Sequence, residues 1–342
     1  MRSNQLTPPV TRSSAIPGIT VAVLGTLIWV GMEYCASALG ASSPQPSFDG
    51  IFVLLLLTQT GYAIIAIPRI RRAGIVCLAE LDTLLDTSDP ELTELTSCFH
   101  EKRLPGLSWA MAAGGLLTVL LQQAQFQRFS LWFADPDLAL GEMWTLLCAW
   151  ATWTIGLAAA YLLIKHVAAM KRLGRDWIDV DLLRIDQLSA FSRYGLQLAG
   201  LVIGLIAVWA VGVVLVTSLL GNRWGDTSNY VGLLMALFYI CLSVTVFVFP
   251  QLGIRERIRE EKVRVCTELT RLLPQSAQAT AQADNNPERF AALLSSRAQI
   301  QAIHEWPAGQ HTRLRLTVYL LVPLLSWSAA ALMEEAISRL IN

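Results

Sequence analysis

Glu33 is the one ionisable residue set well inside an apolar run, PGITVAVLGTLIWVGMEYCASALG at 17–40. A carboxyl group in hydrocarbon is costly, and such groups mark ion or substrate pathways. Glu33 lies about two-thirds of the way along the run, so solvation at the nearer membrane interface is the plainer alternative. Acids also collect in the short polar stretches between other apolar runs. Asp49, Asp135, Asp137, Glu142, Asp226, Glu334 and Glu335 face only Arg128, Arg223 and Arg339 there. Acids around an opening draw cations, while scattered solvated acids do nothing further. Other chemistry is harder to find. The cysteines (Cys35, Cys77, Cys98, Cys148, Cys241, Cys266) contain no CxxC, which excludes a disulfide framework and leaves buried thiols. The histidines (His100, His166, His304, His311) lack HxxxH or HExxH spacing, so no metal site is expected. P-loop, GxGxxG-after-strand and GxSxG patterns are missing, which speaks against a nucleotide-driven pump or a soluble-type hydrolase. No cofactor is implied and no enzymatic activity is expected.

The elements that must position these residues are membrane helices. Of 342 residues, 54% are hydrophobic and 15% charged, against about 25% charged in an ordinary soluble domain. Mean hydropathy is +0.48. This excludes a disordered chain, a coiled-coil rod and a basic nucleic-acid binder. A bilayer core of ~30 Å needs about 20 apolar helical residues. Stretches at 17–40, 51–69, 106–125, 142–165, 195–220, 230–251 and 313–333 meet or approach that. None alternates with period two, so a membrane β-barrel is excluded. The expected fold class is an all-α polytopic membrane protein, a single membrane domain over 1–342 with seven transmembrane helices. The first run weakly resembles a cleaved signal peptide; a retained helix is the expectation, because Glu33 and Tyr34 precede the small residues Ala36-Ser37-Ala38.

The basic residues orient the chain. With seven spans, the N-terminus and the loops 69–105, 165–195 and 252–315 share one side and hold 2, 5, 6 and 10 Lys+Arg, together 23 of 26. The positive-inside rule makes that side cytoplasmic and the C-terminus external. Arginine outnumbers lysine 22 to 4, a usage typical of high-GC bacterial genomes, so the expected location is a bacterial inner membrane. Trp132, Trp144 and Trp224 suit an outer aromatic belt.

The cytoplasmic segments 70–105, 166–194 and 252–304 read as helical and form a base. Asp89-Pro90-Glu91 is a helix start, with a capping side chain, proline in the first turn and an acid near the positive helix end. Trp177, Ile178, Leu182, Ile185 and Leu188 have helical spacing, for packing on protein or on the membrane face. The sixth span is expected to run straight on as a helix. Its extension carries an apolar stripe (Ile254, Ile258, Val265, Leu269, Leu272) and the i,i+4 pairs Arg257–Glu261 and Glu260–Arg264. The Gln/Ala-rich stretch 274–287 reads as a flexible linker. Asn286-Pro287-Glu288 starts another helix to about His304, ended by Trp306-Pro307-Ala308-Gly309.

Seven helices, a helical base and a break before the last span together resemble the insect chemoreceptor-like seven-transmembrane ion channel superfamily, the fold of odorant and gustatory receptors. Gustatory receptors carry Thr-Tyr, five apolar residues and Gln-Phe in the last helix. The nearest stretch here is Tyr319-LLVPLL-Ser326-Trp327, with six apolar residues and with Val318 in place of the threonine. The resemblance implies a homo-oligomer, a tetramer, whose last helix lines a cation pore. Tyr319, Pro323, Ser326 and Trp327 would then face the pore or neighbouring subunits, and Glu334 and Glu335 would ring its outer mouth. The expected partners are the lipid bilayer, further copies of the chain, and a small-molecule ligand or cation, with no nucleic acid. Two alternatives stay open. A small-molecule transporter would use Glu33 in a midplane cavity; a non-catalytic scaffold or sensor subunit would bind a partner through its charged 252–273 helix.

Overall fold

The computed structural model describes residues 16–38, 48–85, 89–100, 106–126, 139–220, 225–282, 287–307, 309, 311–312 and 314–321. Side chains are described over 17–28, 53–85, 89–100, 106–120, 144–182, 185–208, 237–272, 291–307, 309, 311–312 and 314–321. The regular elements among these residues are helices: α1 (Ile16–Ala38), α2 (Phe48–Leu81), α3 (Pro90–His100), α4 (Leu107–Phe126), α5 (Ala139–Asp176), α6 (Ser189–Leu220), α7 (Gly225–Gln282) and α8 (Pro287–Ala302). Short 3₁₀ turns occupy Asp82–Leu84 and Leu182–Leu188, and 314–321 is also helical.

Among the described residues, four helices are long and apolar enough to cross a membrane: Val53–Leu84, Trp144–Asp176, Ile185–Val208 and Leu237–Leu272. Pro17–Ile28 and Leu107–Leu120 are shorter apolar helices. Each of the seven stretches expected from sequence falls partly outside the described side chains. Leu27, Leu116, Ile164 and Phe238 are all more than half exposed. In water such a surface would cost about 25 cal/mol per Å². In lipid it costs nothing, so this exterior is compatible with an integral membrane protein. Trp109, 81% exposed at the start of α4, suits a membrane interface, where an indole has one apolar and one wet side.

Helices α2 and α5 form the centre. α2 contacts α1, α5 and α6; α5 also contacts α4 and α7. Small residues allow close crossings. Gly18 of α1 faces Gly61 of α2, each lying where the other's Cβ would stand. α2 runs through Pro68 without ending, which neighbouring helices make tolerable in a membrane bundle. α4 opens on Gly106, whose φ of 71° is a left-handed conformation that glycine adopts freely.

Most of the buried core lies at one end of the bundle, which we call the base. There Ile70, Cys77 and Leu81 of α2 meet Phe99 of α3, Met170 and Leu173 of α5, Phe191 and Tyr194 of α6, and Ile254 and Ile258 of α7. α3 begins as its sequence requires: the Asp89 carboxylate accepts the Glu91 N–H at 2.9 Å.

Three details of the base differ from the sequence expectation. First, Trp177–Leu188 is not one helix. α5 ends at Asp176, Ile178 pairs with Leu85 in an isolated antiparallel bridge, and only Leu182–Leu188 coils, as 3₁₀. The apolar residues there pack on protein, with Ile178 and Leu188 each 2% exposed. Burial in the base outweighs the helical periodicity. Second, the ion pairs on α7 are Arg257–Glu260 at 3.6 Å and Arg264–Glu261 at 2.6 Å. They use i,i+3 spacing, which brings side chains together as well as i,i+4 does. Third, α8 stops at Ala302, before His304. The helix expected to run on past 251 does so, since α7 is a single helix of 58 residues. It continues to Gln282, into the stretch read as a linker.

Candidate functional site

Of the candidate pore and ligand residues, Tyr319 is the one whose side chain is described. Glu33 lies on α1, but its side chain is outside the described residues, as are Pro323, Ser326, Trp327, Glu334 and Glu335. The segment carrying Tyr319 sits on α6 and α7. Leu316 packs on a small cluster of Leu196, Ala199 and Phe247. The Tyr319 ring passes over Gly200, near enough that an added Cβ there would meet it at 3.6 Å. Leu314, Val318 and Leu321 remain exposed.

Beneath this seat, α6 and α7 are joined by a buried polar contact. Gln251, fully buried, donates its amide to the Phe247 carbonyl at 2.9 Å and accepts the Ser192 hydroxyl at 3.3 Å. Similar contacts tie the other helices. Tyr62 of α2 donates to the Leu201 carbonyl of α6 at 2.7 Å. Thr60 and Thr152 share a hydrogen bond of 2.8 Å between α2 and α5. Trp150 of α5 donates to the Met111 carbonyl of α4 at 3.1 Å.

The base adds contacts between charged groups and the chain. The Asp89 carboxylate that caps α3 also accepts the Trp177 indole N–H at 2.9 Å, holding α3 to the strand-like chain after α5. Arg193 of α6 pairs with Glu80 of α2 at 2.9 Å. His166, fully buried on α5, meets the Phe99 ring edge-on at 4.6 Å between centroids. Further out, Lys262 and Arg255 of α7 contact the end of α8 and the chain that follows it.

A cleft of about 180 Å³ lies between α2 and α3, lined by Ile75, Leu78 and Leu92 together with Asp82, Thr96 and His100. It is smaller than the roughly 300–1,000 Å³ typical of ligand pockets. Among the described residues, no three His, Cys, Asp or Glu side chains converge as metal ligands would.

The placed polar groups therefore hold helices to one another, and the segment 314–321 is seated by them at second hand, through α6 and α7. Sequence reasoning singled out Asp89 as a cap, but assigned it no partner outside α3. Asp89 and Trp177 are 88 positions apart, and no local pattern links them. No family model, curated protein or solved structure matches this chain.

Proposed function

We propose that this chain is a non-catalytic seven-span protein of a bacterial inner membrane, with the N-terminus cytoplasmic and the C-terminus external. It assembles as a homo-oligomer, a tetramer, whose last helix (313–333) lines a cation pore with Glu334 and Glu335 at the outer mouth. The observation that carries the reading is the seating of 314–321. One side of it rests on α6 and α7 through Leu316 and Tyr319, while Leu314, Val318 and Leu321 stay bare. A helix held on the outside of its own bundle is available to neighbouring copies around a shared axis. The test is particle mass in mild detergent, followed by planar-bilayer current. A strict monomer refutes the pore. Glu334→Gln with Glu335→Gln should lower cation preference, and an unchanged preference rejects the acid ring.

A second reading, a scaffold or sensor subunit, is favoured by the base. Its core is the largest among the described residues, and α7 extends with α8 beyond it. This reading expects no conductance and a protein partner retained through 252–304.

A further inference from the structure

The chain between α8 and the segment 314–321 is a joint. Ile303–Pro307 has no helical backbone, and proline keeps the residue before it out of the α region. Two cations reach this joint from α7. The Lys262 ammonium donates to the carbonyls of Gln301 at 2.7 Å and Ile303 at 3.0 Å, at the negative end of α8. The Arg255 guanidinium lies 4.7 Å from the Trp306 ring centre and pairs with Glu305 at 3.6 Å. Positions 255 and 262 are seven apart, two turns along one face of the helix. Ile258, between them on that face, is fully buried. α7 therefore grips the joint on its α8 side, and through Phe247 and Val248 it also seats Leu316 beyond the joint.

We propose that Lys262 and Arg255 form a latch that closes the 303–307 joint onto α7, so that α7, α8 and the segment 314–321 move as one body while it is shut. Opening it would free the joint and the end of α8 from α7 while 314–321 stayed seated on α6 and α7. The latch stands on these contacts alone and does not depend on the pore reading.

Hydrogen exchange of the full chain in detergent micelles tests it. The reporting amides are Ile303, bonded to the Ile300 carbonyl at 3.2 Å, and Thr312, bonded to the Gly309 carbonyl at 3.1 Å. In the double variant Lys262→Met, Arg255→Gln, peptides over 303–312 should exchange about tenfold faster, as expected for charge-assisted contacts at a partly exposed site. Peptides over the buried 190–203 stretch of α6 should be unchanged. Lys262→Arg, which keeps the charge, should retain most of the protection. Unchanged exchange at the joint in the double variant overturns the latch. So does an equal rise over 190–203, because the two cations would then be supporting the whole bundle.

Discussion

Replacing Gly253 by alanine probes the crossing of α5 and α7 that fixes the base. A Cβ built at Gly253 would lie 3.0 Å from the Lys171 carbonyl carbon and 3.2 Å from the Arg175 amide nitrogen, and nearer still to the Lys171 carbonyl oxygen. All three are backbone atoms, so no side-chain rotation makes room. Ordinary contact begins at 3.4 Å, so the helices must part by about 0.4 Å at the carbonyl carbon and by more at its oxygen. The neighbours that would lose contact are fully buried: Leu173 of α5, and Ile254 and Ile258 of α7. A radial gap of ~0.5–1 Å forfeits a quarter to a half of each dispersion well. Overpacking of this kind costs about 1–3 kcal/mol. Alanine returns about 0.8–1 kcal/mol of helix propensity. For a crossing this close the net loss should be about 1–2 kcal/mol, a ~5–30-fold shift in the folded ratio. The assay is unfolding of the purified protein in mixed micelles by SDS titration, followed by tryptophan fluorescence. Gly156→Ala is the matched control, because nothing lies within 4 Å of a Cβ there; it should be neutral or stabilising by up to about 1 kcal/mol. If Gly253→Ala unfolds at or above the wild-type midpoint while Gly156→Ala behaves as expected, the α5–α7 crossing is not as described.

Asp89→Ala removes both the α3 cap and the partner of the Trp177 indole. The loss should be about 2 kcal/mol, seen as faster hydrogen exchange across α3 and 177–180. Thr152→Val removes the hydroxyl that bonds Thr60 and donates to the Leu56 carbonyl at 3.1 Å. Intramembrane hydrogen bonds average about 0.6 kcal/mol, with a maximum near 1.7, so its SDS midpoint should fall only slightly. In micelles a polar maleimide should label Cys266, which is partly exposed, and leave Cys77, 2% exposed, unreacted until the chain is denatured. Mass spectrometry of the digested adduct reads both sites at once.

How much of this was legible depended on the range of the interaction. The start of α3 was readable because Asp89, Pro90 and Glu91 act on one another within a single turn. The run of α7 past its apolar part was readable because the apolar stripe and the charged residues between its members keep helical spacing from Ile254 to Leu272, although Pro250 and Pro274 both lie within the helix. The irregular path of 177–181 was not. Its apolar residues repeat at helical spacing, yet the bridge from Ile178 to Leu85 and the bond from Trp177 to Asp89 come from chain about 90 positions earlier. The choice between i,i+3 and i,i+4 ion pairs on α7 was equally hidden, since both spacings face one another on a helix. In the sequence Lys262 is one charge among several on the 252–273 helix. Its partners are backbone carbonyls, which every residue has, so no pattern of residue types could reveal them.

What the sequence by itself determined is the class of molecule and its helical runs. Apolar length and the rarity of interior charge are local properties, and a bilayer acts on them segment by segment. What only the tertiary structure decided is which helices touch and what their polar groups hold. Where helices are apolar all round, as in the apolar runs of this chain, hydrophobicity does not choose neighbours. Glycines that permit close approach, such as Gly253 against Lys171, and single hydrogen bonds, such as Tyr62 to Leu201, make that choice, and they take effect only once the helices are side by side.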